Sequence, residues 1–74
     1  MKIIKSYEDA YTGPDCSVYD EIALIESSTS YLVLRLTTYR GCIGIEPRYE
    51  EYRYNEYASA VDKYEDIEKE IKRW

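Results

Sequence analysis

The stretch SYLVLRLTTY, residues 30–39, decides how the rest of the chain is read. Leu32, Leu34 and Leu36 alternate with Tyr31, Val33, Arg35, Thr37 and Tyr39, the period-two signature of a strand with two unlike faces. The alternation predicts a central strand whose leucine side must be covered and whose Arg35 and Thr37 side meets water. The segment able to supply the cover is Asn55 to Trp74. Its apolar stripe, Tyr57, Ala60, Val61, Tyr64, Ile67, Ile71 and Trp74, steps by three and four as one face of a helix does. Asn55 suits an N-cap. Glu56 stands near the positive end of the helix dipole, and Lys69, Lys72 and Arg73 near the negative end. Glu65 with Lys69 and Glu68 with Lys72 are spaced as supporting pairs. The stripe also fits a heptad seam, but fewer than three heptads make a coiled coil the weaker reading.

Outward from the leucine strand, residues 27–30 (SSTS) favour a turn, because their hydroxyls compete for backbone hydrogen bonds. Val18 to Ser27, with Ile22, Ala23, Leu24 and Ile25 in succession, predicts a strand covered on both faces. Glu8 to Ser17 holds Gly13 and Pro14 and is expected to be an exposed loop flanked by Tyr7 and Tyr11. Lys2 to Tyr7 is expected to be a short edge strand. On the other side, Arg40-Gly41 predicts a second hairpin, with a return strand starting at Cys42 and carried on by Ile43 and Ile45. Pro47 interrupts that strand, since proline cannot donate to a ladder. Arg48 to Tyr54 resumes it as an edge strand whose charges discourage edge pairing. Tyr49, Glu51 and Arg53 fall on one side of it, and Glu50, Tyr52 and Tyr54 on the other. The expected fold is a single α+β domain spanning residues 1–74. It is a three- to four-stranded antiparallel meander with one C-terminal amphipathic helix packed on one face.

Seventy-four residues with ten tyrosines, one tryptophan and no phenylalanine make a small core that must find partners for phenol hydroxyls. Fifteen acids against ten bases give a net charge of −5 without histidine. That balance argues against direct nucleic-acid binding, which needs a basic face, and favours a protein partner with a basic surface. Two cysteines, Cys16 and Cys42, are too few for a disulfide framework. With no apolar run long enough for a signal peptide or a membrane span, the expectation is free thiols and a cytoplasmic protein.

No catalytic, metal or cofactor motif emerges. Glu50 and Glu51 point to opposite faces of a strand and cannot act as a facing acid–base pair. Glu46, Glu50 and Glu56 lack the glycine-bearing loop of an oxygen-ligated cation site. Two cysteines without histidine leave a zinc site half empty and a thiol nucleophile without its usual base. Gly13, Gly41 and Gly44 are scattered, and none opens a helix after a strand as a phosphate cradle requires. The expectation is therefore a protein that is not an enzyme and carries no cofactor.

What remains is residues 48–57, RYEEYRYNEY, tyrosines interleaved with charges of both signs. Tyrosine and arginine are enriched at interface hot spots. The candidate partner-binding residues are Tyr49, Glu50, Glu51, Tyr52, Arg53, Tyr54 and Glu56. In size and charge alone the chain resembles the small acidic proteins with which phages and mobile elements block host nucleases. That resemblance implies an inhibitor, a host-defence antagonist occupying a basic nucleic-acid-binding surface of a nuclease complex. The alternative is a structural or self-associating subunit, a homodimer whose helix stripe or outer sheet face is completed by a second copy.

Overall fold

The computed structural model describes residues 1–41 and 44–72. Four strands, β1 (Lys2–Thr12), β2 (Ser17–Glu26), β3 (Tyr31–Arg40) and β4 (Arg48–Tyr54), form an antiparallel meander in the order β1-β2-β3-β4. One helix, α1 (Tyr57–Lys72), follows and packs across the sheet. This is the expected α+β architecture, with the leucine strand in the interior and β4 at an edge.

The β2–β3 turn is the serine-rich one, closed by the Ser27 N–H donating to the Ser30 carbonyl at 2.9 Å. The N-terminal strand is longer than expected. Residues 8–12 are strand rather than loop, with Glu8 opposite Glu21 and Thr12 opposite Ser17. They carry no apolar alternation of their own and are held by the ladder of β2, so local pattern could not reveal them. The true turn is shorter, with the Gly13 N–H donating to the Cys16 carbonyl at 2.9 Å. A bulge between Ile3 and Lys5 lets Ile4 pack against the core.

Gly41 takes φ 78° after β3, the left-handed conformation expected of a glycine there. The predicted start of the return strand, Cys42 and Ile43, lies outside the described residues, as do Arg73 and Trp74, expected in the helical segment. Gly44 to Pro47 is not strand, so Ile45 does not extend β4. The helix begins one residue later than expected, with the Glu56 carbonyl accepting from the Ala60 N–H at 3.3 Å. Glu56 therefore holds the capping position given to Asn55. The Glu68–Lys72 pair forms at 3.2 Å.

Cys16 is disulfide-bonded, which corrects the expectation of free thiols. The reading rested on composition and on separation along the chain. Antiparallel pairing cancels that separation, because Ser17 stands opposite Arg40 and the Cys16 Cα lies 3.7 Å from where a Gly41 Cβ would be.

The larger correction concerns the face the helix covers. Ala60, Tyr64, Ile67 and Ile71 of α1 pack on Ile22, Leu24 and Val33, and Tyr7, Tyr31, Tyr52 and Tyr54 close around this core. Val33 is 0% exposed, whereas Leu36 is 37% exposed. The helix thus seats on the Val33 side of β3, not on the leucine side. Two physical reasons decide it. Arg35 and Thr37 are not a solvent face, because Asp20 of β2 satisfies both: it accepts from Arg35 Nε and Nη2 at 3.1 Å each and from the Thr37 hydroxyl at 2.9 Å. Glu70 of the helix reaches the same guanidinium at 3.1 Å. On the leucine side, the neighbouring positions of β1 and β2 are Ser6, Glu8, Glu21 and Ala23. A helix laid there would bury Glu8 and Glu21, directly opposed in the ladder and without an ion pair among the described residues, at a high desolvation cost.

Val33→Thr, an isosteric swap that sets a hydroxyl under the helix, should destabilise by about 1 to 2 kcal/mol. Leu36→Gln, whose amide reaches water, should destabilise by less. Chemical denaturation ranks the two, and the reverse order would return the helix to the leucine side. A second expectation is alkaline. Burial, and then Glu68, push the Tyr64 phenol up to about 12, against about 10 in an unfolded chain. A raised folded-state value stabilises fully below the unfolded pKa, and that stability is lost as pH climbs from about 10 through about 12. Tyr64→Phe should flatten this part of the stability profile, read from melts alongside tyrosinate absorbance.

Candidate functional site

The alternation along β4 divides the tyrosine-rich segment between the two faces of the sheet. Tyr52 and Tyr54 face the helix: Tyr54 stands opposite Tyr31 and Tyr52 opposite Val33, and both pack against the core. Lys63 Nζ sits 4.3 Å from the Tyr52 ring centroid, and the Tyr52 hydroxyl donates to Glu50 at 3.3 Å. Arg48 pairs with Glu50 from the same side at 3.3 Å. Tyr49, Glu51 and Arg53 occupy the opposite, uncovered face. There the Tyr49 hydroxyl donates to Glu51 at 3.4 Å and Arg53 pairs with Glu51 at 3.7 Å. Glu56 is exposed in the turn before the helix. Of the seven candidate residues, the fold brings Tyr49, Glu51 and Arg53 together, and it sets Glu50, Tyr52 and Tyr54 apart from them.

The uncovered face is where unassigned surface accumulates. Register places its side chains in rows across the sheet, with neighbouring strands about 4.8 Å apart. One row is Glu8, Glu21, Leu36 and Tyr49, the next is Ser6, Ala23, Leu34 and Glu51, and the third is Ile3, Ile25, Leu32 and Arg53. Ile25 and Leu32 are buried, while Tyr49 is 61% and Ile3 62% exposed. The accessible surface of 5368 Å² exceeds the roughly 4,800 Å² expected of a compact monomer of this mass, as one open sheet face would make it.

Small side chains shape this face. Ser6 and Ala23 sit between larger neighbours and leave a trough of about 660 Å³ with Leu34, Leu36, Glu8, Glu21 and Tyr49 around it. A second depression of about 460 Å³ continues along the strands past Tyr19, Thr38 and Arg40, sharing Glu21 and Leu36 with the first.

The electrostatics of the trough are acidic. Glu8 and Glu21 are directly opposite in the ladder, an arrangement that opposes like charges. Among the described residues neither carboxylate forms an ion pair. The Tyr19 hydroxyl donates to Glu8. That bond, then partial desolvation and Glu21, push the Tyr19 phenol up to about 12. Desolvation and the adjacent Glu51 push Tyr49 upward as well. Both phenols therefore stay protonated at neutral pH and act as hydrogen-bond donors.

Sequence reasoning missed Glu8, Tyr19 and Glu21. The alternation Tyr19, Glu21, Ala23, Ile25 is visible in the sequence, but Glu8 joins it only through the β1–β2 register. Among the described residues no group of three histidine, cysteine or acidic side chains is placed to hold a metal ion, and no helix is long and apolar enough to cross a membrane. No family model, curated protein or solved structure matches this chain.

Proposed function

We propose that this protein is a non-catalytic protein-binding module whose contact surface is the uncovered face of the sheet. The observation that carries the reading is the company kept there by half-buried Leu34 and exposed Leu36 and Tyr49, apolar and aromatic area bordered by Glu8, Glu21 and Glu51. Apolar centres with polar rims are the usual anatomy of protein interfaces, and an acidic rim selects a basic partner. The net charge of −5 acts in the same direction and against direct contact with nucleic acid. The most specific form of the reading is an inhibitor, a host-defence antagonist that occupies a basic nucleic-acid-binding surface of a nuclease complex. Size and charge support that form. A cytoplasmic location was expected together with free thiols, and a disulfide-bonded Cys16 weakens that expectation.

The same apolar area, with Leu36 exposed, favours a second reading, a homodimer closed face to face. Mass measured against concentration separates the two, because self-association shifts it and a dedicated binder stays monomeric. The functional test is partner capture from the native host by the wild type, Tyr49→Ala and Tyr52→Ala. Tyr49→Ala should weaken capture by about 2 kcal/mol, a hot-spot value, with its melting unchanged. Tyr52→Ala should lower melting instead, because that ring lies on the helix side. Undiminished capture by Tyr49→Ala would remove the open face as the contact.

A further inference from the structure

We infer that the trough on the open face is a seat for an arginine side chain of the partner, flanked in the partner by apolar residues. The inference rests on the docking reading above and names the chemistry of its central contact. Ser6 and Ala23 supply depth where every neighbouring position is larger, and Leu34 and Leu36 line the trough with apolar surface. An arginine stem of methylenes lies along such surface while its head seeks charge. The head meets Glu8 and Glu21, directly opposed in the ladder and without an ion pair among the described residues. Glu51 stands in the same row as Ala23, two strands from it.

Charge complementarity selects this occupant over a second copy. The open face carries Glu8, Glu21 and Glu51 against Arg40 and Arg53, so two identical faces meet with the same net sign, whereas a partner's cation relieves the repulsion already present between Glu8 and Glu21. Arginine fits better than lysine because its planar fork presents five donors and can serve two carboxylates at once. The Tyr19 hydroxyl, donating to Glu8, fixes one of those carboxylates in place. Tyr49, roughly 10 Å from Glu21 across Leu36, closes the far side against an apolar flanking residue of the partner.

The test is an NMR titration of the whole protein with the capped tripeptide acetyl-Leu-Arg-Leu-amide at low salt. The citrulline and lysine analogues are run in parallel. The arginine peptide should give saturable shifts centred on Ala23, Leu34 and Leu36. The citrulline peptide, isosteric but neutral, should bind at least about tenfold more weakly, the worth of one charge-assisted contact, and the lysine peptide should fall between. Glu8→Gln and Glu21→Gln should each weaken the arginine peptide by a similar factor while melting at or above the wild-type temperature, since each removes a like-charge neighbour.

Equal binding of arginine and citrulline peptides would overturn the proposal, as would shifts spread over every acidic surface or indifference to both glutamine variants. Open-face shifts that follow protein concentration without peptide would assign the trough to a second copy. Failure here with Tyr49→Ala still losing its captured partner would sink the arginine seat alone. Failure of both would remove the open face altogether.

Discussion

Asp20→Ala should lower the stability of the fold by about 3 kcal/mol, the low end of what breaking a buried ion pair produces. Asp20 is nine-tenths buried or more and accepts three hydrogen bonds, two from Arg35 and one from Thr37. Removing it leaves the guanidinium with Glu70 alone, on the exposed rim, and strips the buried Thr37 hydroxyl of its acceptor. The effect belongs to the orphaned partners more than to the lost bonds. The triple replacement Asp20→Leu, Arg35→Met and Thr37→Val should accordingly recover most of the loss, since well-packed apolar groups often replace a buried pair without penalty. Urea denaturation of both proteins decides it. A loss below about half a kcal/mol in Asp20→Ala would mean that Arg35 finds water, and that the helix does not seal this part of the sheet.

Opening the disulfide at Cys16 should be worth about 3.5 kcal/mol. Loss of a native disulfide from a small domain costs about 2 to 5 kcal/mol, and this figure is the middle of that range. A domain of this size has a total stability of roughly 4 to 11 kcal/mol, so the reduced protein should stand close to its unfolding transition at physiological temperature. Denaturation midpoints with and without reductant measure the difference, and Cys16→Ser in the absence of reductant should reproduce the reduced value. Coincident midpoints would show that the turn region is held by the ladder alone. The result bears on function too. A binder stable only when oxidised works where disulfides persist.

The elements themselves were legible because their signals are local. Alternation marked β3, the stripe Ala60, Tyr64, Ile67 and Ile71 marked the helix, and the hydroxyl run at residues 27–30 marked its turn. β1 was half legible, because residues 8–12 have no apolar pattern and exist as strand only through pairing with β2. Of the candidate site, Tyr49, Glu51 and Arg53 were legible on one side of their strand and Tyr52 and Tyr54 on the other. Glu8 and Glu21 could not be joined to them without the register across four strands.

By itself the sequence determined an antiparallel meander with one C-terminal helix, since side-chain period, turn chemistry and helix stripe are properties of neighbouring residues. Tertiary structure alone decided which face of β3 the helix covers. An alternating strand reads the same whichever side is buried, and Arg35 and Thr37 look like a water face until Asp20 is brought across from β2. Once those polar groups are satisfied, the Val33 side accepts the helix without orphaned charge. The leucine side, where the opposed carboxylates of Glu8 and Glu21 would have been desolvated, is left open to become the surface on which the proposed function rests.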